Sequence, residues 1–148
     1  MKISSKARYG LASMIYMAKN CSYNECITII NIANSLKISK IYLEQVFSLL
    51  KRANLVISIK GAQGGYQLAR SIDSITAKDI IGAIELSLFD KTDTTVLESS
   101  EEIEKAMEYL VWNKLDEDIS KRLSSITLRD LVEEADKFNN PMNTMFYI

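Results

Sequence analysis

The fold is decided by Thr28-Ile29-Ile30-Asn31-Ile32-Ala33-Asn34-Ser35-Leu36-Lys37-Ile38-Ser39-Lys40-Ile41-Tyr42-Leu43-Glu44-Gln45-Val46-Phe47-Ser48-Leu49-Leu50. Thr28 can cap a helix whose apolar positions are Ile29, Ile32, Ala33 and Leu36. Three residues after Leu36, Ser39 can cap a second helix with Leu43, Val46, Phe47 and Leu50 at i, i+3, i+4 and i+7. Two short amphipathic helices on so tight a connection resemble a helix-turn-helix. Burying those four residues turns Lys40, Ile41, Glu44, Gln45 and Ser48 outward, where they suit a major groove. Gln45 can pair with adenine, Glu44 can accept from cytosine, and Ile41 can touch a thymine methyl. The same side chains can equally be the wetted face of an ordinary amphipathic helix.

Downstream, Leu55–Lys60 is β-branched and partly alternating, the pattern of a strand. Gly61-Ala62-Gln63-Gly64-Gly65 then forms a turn holding three of the five glycines in the chain, and Tyr66–Ala69 returns as a second strand. A hairpin directly after a helix-turn-helix is a wing. Its tip couples Lys60 to little side-chain bulk, which suits close approach to a sugar-phosphate backbone. The glycine spacing matches neither the Walker A nor the dinucleotide fingerprint.

Upstream, Ser4 to Asn20 reads as a helix with Ala7, Leu11, Met14 and Ala18 on one stripe. Beyond the wing, Thr76 with Asp79 forms a capping box for a helix carrying Ile80, Ile81, Ala83 and Ile84. Residues 87–99 read as a loop. Ser99 with Glu102 suggests another capping box, opening a helix to about Leu123. Its stripe is Ile103, Met107, Val111, Leu115, Ile119 and Leu123, with Leu110 and Trp112 beside it. Thr127 with Asp130 starts a short helix through Ala135, and no structure is assigned after Lys137. The expected architecture is mainly α with a small β-hairpin: a winged helix-turn-helix over residues 1–86, then a loop, a long helix and a short helix over 87–148. The long helix, about 37 Å at roughly 1.5 Å per residue, exceeds what so small a domain covers. Its stripe, Leu110 included, therefore calls for a partner, most simply the same helix in a second subunit.

The net charge of −1 conceals a polarity. Residues 1–70 hold ten Lys/Arg against Glu25 and Glu44, and residues 71–148 hold eight against seventeen Asp/Glu. One half is built to meet a polyanion. There is no histidine, which removes the commonest general base, and no nucleophile–base pair is visible, so an enzyme is not expected. No run is apolar and long enough for a membrane span or a secretory signal. A cytoplasmic protein is expected, with Cys21 and Cys26 as reduced thiols. These two are either idle thiols or an oxidisable pair acting as a switch. The carboxylates Glu101, Glu102, Glu104 and Glu108 read as a solvated face in the first turns of the long helix.

Four ordered motifs carry a family resemblance: Met1-Lys2-Ile3-Ser4-Ser5-Lys6-Ala7-Arg8-Tyr9-Gly10-Leu11, Tyr42-Leu43-Glu44-Gln45, Gly61-Ala62-Gln63-Gly64-Gly65-Tyr66 and Ile75-Thr76-Ala77-Lys78-Asp79-Ile80. Together they resemble the Rrf2 family of bacterial transcription regulators. The resemblance implies a homodimeric repressor presenting a recognition helix and wing to each half of a roughly palindromic operator in double-stranded DNA. It places Ser39, Tyr42, Glu44 and Gln45 in the recognition segment and Lys60 where relatives often carry arginine. With Lys2, Ser4, Arg8, Lys40, Ile41, Ser48, Gly61, Gln63, Gly64, Gly65 and Tyr66 these make up the candidate DNA surface. Several members hold an iron–sulfur cluster through three cysteines in the loop before the long helix. Residues 87–99 have none, so the chain resembles the cluster-free branch and no metal or cofactor is expected. Control then falls to a metabolite, a partner protein or the thiols. A protein-interaction module on the same fold is the competing reading.

Overall fold

The computed structural model describes residues 1–22 and 24–140. In chain order the elements are α1 (Ser5–Asn20), α2 (Ile29–Leu36), α3 (Lys40–Arg52), β1 (Val56–Ile59), β2 (Gly65–Leu68), α4 (Ala77–Ile84), α5 (Glu101–Met107), a π-helical turn (Glu108–Trp112), α6 (Asn113–Ser124) and α7 (Leu128–Asn139). The expected class, mainly α with one antiparallel hairpin, is what forms.

Phe47, Met14, Met17, Ile32, Leu43, Leu50 and Leu55 are fully buried in a single core, with Ile80 of α4 and Leu128 of α7 joining them. The α3 face is the one the spacing predicts: Leu43, Val46, Phe47 and Leu50 all lie inside. In α1 the buried face is Ala7, Gly10, Ser13, Met14 and Met17, rotated from the expected stripe. Leu11 and Ala18 flank the core instead. The rotation lets α1 approach α4 closely: a Cβ on Gly10 would stand 2.2 Å from Ile84 Cδ1.

The link between α2 and α3 dispenses with glycine because Lys37 itself takes the left-handed conformation (φ +57°), its N–H bonding back to Ala33. This costs about 1 kcal/mol in a non-glycine residue and closes the helix end. Ser39 stands at the N-cap of α3 without a side-chain capping bond. The hairpin pairs Val56 with Leu68 and Ile59 with Gly65. It is stitched to the chain before α2 by reciprocal bonds between Ile27 and Tyr66 (2.9 and 2.8 Å).

The expected capping box at Thr76/Asp79 forms, and Thr127 with Asp130 makes another at the start of α7. The one expected at Ser99/Glu102 does not form. The helix starts one residue later, behind Ser100, with no side-chain cap. Ser99 Oγ donates instead to Val96 O at 3.3 Å. The last helix also runs past Ala135 to Asn139, while Pro141 lies outside the described residues.

The long helix is continuous but not uniform. Residues four apart in an α-helix advance by about 40°, so six at that spacing drift by about 200°. The π turn takes up roughly one extra residue and turns the stripe back by about 100°. This keeps Ile103, Met107, Val111 and Leu115 close to one line. Trp112 and Asp116, half-covered, follow buried Glu104 on the adjoining face.

Candidate nucleic-acid interface

Helix α3 leaves Lys40, Ile41, Glu44, Gln45 and Ser48 exposed, Ile41 to 71%. Lys40 Nζ pairs with Glu44 at 3.6 Å, an i,i+4 contact open to solvent and therefore weak.

A residue absent from the sequence-based set completes this surface. Lys6, from α1, lines the same open groove as Ile41, Glu44, Gln45 and Ser48. Its ammonium lies 5.7 Å from the centre of the Tyr42 ring. Tyr42 is held edge-on by Tyr9, with centroids 5.3 Å apart at 77°. The cation–π contact holds Lys6 beside the first turn of α3 without consuming its charge. Thirty-six residues separate Lys6 from Tyr42, so no local pattern announces the contact.

At the wing, Lys60, Gly61 and Gln63 are exposed, and Gly64 and Gly65 are half-buried. Gly61 (φ +106°) has open space around it. A Cβ on Gly64 would lie 2.1 Å from Ile59 O, and one on Gly65 (φ +149°) 2.6 Å from Ile27 O. Gly61 is thus a conformational requirement, Gly64 a steric one and Gly65 both. Tyr66 turns inward and tilts against Phe47 at 4.8 Å, which ties the wing to the recognition helix through the core. Lys2, Ser4 and Arg8 are exposed on the N-terminal arm and first turn, with Arg8 donating to Ser5 Oγ. The Ser4 N–H donates to Glu85 at 2.6 Å, pinning the arm to the end of α4, and the Ser4 side chain first, then its N–H, holds that carboxyl below its usual range. Ser39, also exposed, precedes the first turn of α3.

Cys21 and Cys26 are half-buried free thiols outside this surface. Burial first, then Glu25 and Cys26, pushes the Cys21 thiol up, so its reactive thiolate is disfavoured. Gln67 Nε2 reaches Asn24 O at 2.7 Å and Cys26 Sγ at 3.4 Å, linking this segment to the second wing strand.

The loop before the long helix is organised by a carboxylate. Glu104, expected on the solvated face, is only 3% exposed and accepts the N–H groups of Thr95 (2.9 Å) and Val96 (2.6 Å). One turn on, Glu108 pairs with Lys91 at 2.7 Å. The charges that seemed spare bind the loop down.

A helix-turn-helix with a basic wing and a cation-rimmed recognition face defines a winged-helix DNA-binding protein. The profile of the Rrf2 family, described as an iron-dependent transcriptional regulator, matches residues 3–134, and the chain belongs to that family. It is 40% identical to the HTH-type transcriptional regulator CymR of Bacillus subtilis (strain 168), over the full length of both chains. It is 34% identical to the HTH-type regulator IscR of Erwinia tasmaniensis, over 92% of this chain and 81% of the other. Among solved structures, CymR (YrzC), the global cysteine regulator of B. subtilis, superposes with a TM-score of 0.73 at 38% identity, covering 90% of this chain and 98% of that one. T. potens IscR superposes with a TM-score of 0.74 at 35% identity, covering 99% and 97%. The chain is an Rrf2-type DNA-binding transcription regulator, and no described helix is long and apolar enough to cross a membrane.

The family description mentions iron, and the residues here do not suit an iron–sulfur cluster. Such a cluster takes thiolates converging on the metal. The 87–99 loop has no cysteine, the chain has no histidine, and both thiols lie beside the wing. Among the described residues no three His, Cys, Asp or Glu side chains are grouped to hold a metal ion. Glu104, the carboxylate central to that loop, is already engaged by two backbone N–H groups.

Proposed function

We propose that the chain acts as a sequence-specific repressor, reading a palindromic operator as a homodimer. Each α3 enters a major groove and each wing tip lies on the adjacent minor groove. Residues 1–86 carry DNA binding, and 87–148 carry the loop, the long dimerisation helix and α7. The observation that carries this reading is the α3 face itself: Ile41, Glu44, Gln45 and Ser48 stand exposed together, rimmed by Lys6, with nothing among the described residues covering them. Gln45, Glu44 and Ile41 read base edges. Ser39, Lys40, Tyr42, Lys2, Ser4 and Arg8 serve the phosphates. Lys60, Gly61, Gln63, Gly64 and Gly65 form the wing contact, and Tyr66 anchors it. Lysine at position 60 keeps the charge of an arginine without its planar fork, so the wing contributes affinity more than base discrimination.

Selection of bound sequences from a random duplex pool tests the reading. Wild type should enrich a palindrome, and Glu44→Ala should enrich a different one. Lys60→Ala should keep the wild-type palindrome while weakening binding to every duplex and flattening its salt dependence by about one counterion. No enrichment by wild type, or an unchanged consensus with Glu44→Ala, would remove α3 from the role of reader.

A second reading, thiol control of the same binding, draws on the Gln67 contact that joins Cys26 to the wing strand. Hydrogen peroxide would convert the Cys26 thiol to a sulfenic acid with release of water, replacing the sulfur acceptor of Gln67. Peroxide should then weaken operator binding by wild type and spare a Cys21→Ser/Cys26→Ser variant. Equal responses would leave a metabolite or partner protein as the signal.

A further inference from the structure

One surface cavity shares no residue with the DNA face described above. It encloses about 270 Å³ between the end of α1, the segment leading into α2, and the residues that follow β2. Its apolar lining is half-buried: Ala18 of α1, Leu68 of β2 and Ile72, with the Cys21 thiol beside them. Two exposed residues of opposite charge, Glu25 and Arg70, join the lining from different segments. An apolar hollow with a few polar groups at its edge is the usual make-up of a small-molecule site.

The two charges are held but not spent. Arg70 stands two residues beyond β2, and its Nη2 pairs with Asp79 at 3.3 Å. The same carboxylate oxygen accepts the Thr76 N–H at 2.9 Å in the capping box. A guanidinium has five donors, so one long, shared contact fixes Arg70 at the base of the wing and leaves others for a ligand. Among the described residues no cation pairs with Glu25. Burial first, then the Glu25 charge, keeps Cys21 as the neutral thiol, so the sulfur brings no third charge into the cavity.

This arrangement specifies its occupant. An anion without an amine would be repelled by Glu25, a cation without an acid by Arg70, and an uncharged molecule would leave both without a partner. The volume corresponds to about nine waters of liquid, the scale of a single small metabolite. We propose that the cavity binds a free α-amino acid with a short apolar side chain. Its carboxylate meets Arg70, its ammonium meets Glu25, and its side chain covers Ala18, Leu68 and Ile72.

The site is tied to the wing. Gln67 of β2 donates to the Asn24 carbonyl at 2.7 Å, one residue before Glu25, while Leu68 and Arg70 on the same stretch wall the cavity. Asn24 is left-handed (φ +67°), and the Glu25 N–H closes a short turn on Ser22 at 3.0 Å. A zwitterion bridging Glu25 to Arg70 fastens that turn to the base of the wing. A wing ordered beforehand loses less freedom on meeting DNA. Bound amino acid therefore tightens operator binding, and by linkage operator DNA tightens amino-acid binding by the same factor. This coupling rests on the repressor reading, whereas the site itself does not.

Calorimetric titration and thermal melting of the full chain without DNA, against each proteinogenic amino acid, test the site. One or a few with short apolar side chains should bind, and isobutyrate and isobutylamine, each lacking one charge, should bind about tenfold more weakly or less. Glu25→Gln and Arg70→Ala should each weaken binding by about tenfold, the loss of one charge-assisted contact, with circular dichroism unchanged and Arg70→Lys retaining part of the affinity. Cys21→Ser should bind as wild type. Neither heat nor a raised melting temperature with any amino acid at millimolar concentration would overturn the site, and so would binding that survives both charge variants. The amino acid found should then raise operator affinity about fivefold in wild type and leave Glu25→Gln unaffected. Binding that leaves operator affinity unchanged or lowered would overturn the coupling. A wild type that selects no operator would sink the repressor reading instead, and the titrations without DNA would still decide the site.

Discussion

The Glu104 carboxylate, in the first turn of the long helix, accepts the Val96 N–H at 2.6 Å from the loop that precedes the helix. With Thr95 it forms a pair of charge-assisted bonds from a side chain almost without solvent access. Truncation therefore leaves backbone donors unpaired as well as removing an acceptor.

Glu104→Ala should lower stability to urea by about 2 kcal/mol, since bonds to a charged acceptor contribute roughly 1.5–3 kcal/mol. Glu104→Gln keeps one carbonyl acceptor and should lose about half as much. Hydrogen exchange should show Thr95 and Val96 amides deprotected in the alanine variant. Unchanged protection of both would mean the loop is held by other contacts.

Lys6→Ala should weaken binding to all duplexes and reduce the slope of log affinity against log salt by about one. The selected consensus should stay that of wild type, because an ammonium on the rim meets phosphate and not a base edge. An unchanged salt slope would place Lys6 outside the footprint. The lysine is half-buried and lies over Tyr42, so a thermal melt should accompany the titration.

Gly65→Ala should disconnect the wing. Its Cβ would meet the Ile27 carbonyl at 2.6 Å, and backbone cannot swing aside as a side chain can. Circular dichroism should report the helices intact while operator affinity falls about tenfold, equivalent to ~1.4 kcal/mol. Gly61→Ala, with open space around it, should cost only about 1 kcal/mol of stability, from its positive φ. Equal losses in the two variants would refute the distinction.

Acid stability depends in part on Asp73, which receives the Nε and Nη2 groups of Arg129. The bonded guanidinium, chiefly, holds this carboxyl below its ordinary value. A depressed carboxyl stabilises the fold at pH above its unfolded value, about 3.9, and that contribution disappears as the pH falls through the lower folded value. Melting temperature should therefore drop more steeply below pH 4 in wild type than in Arg129→Ala, which has no such pairing to lose. Parallel curves would show the pair to be energetically silent.

Much of this molecule is written locally. Leu43, Val46, Phe47 and Leu50 face inward because helical periodicity within one segment puts them on one side. Thr76 and Thr127 cap because their partners stand three residues away, and the Gly61–Gly65 turn declares a hairpin by composition. Interactions within a handful of residues leave a pattern in the chain, and so the winged helix and the exposed face of α3 are legible in the sequence. Tertiary structure alone decided the rest. It brought Lys6 to Tyr42, buried Glu104 under Thr95 and Val96, and left Ile103, Leu110, Val111 and Leu115 of the long helix exposed. Each of those depends on which surface packs against which. A charged residue keeps the same letter whether solvated or buried, and only the packing of distant segments determines which of the two it becomes.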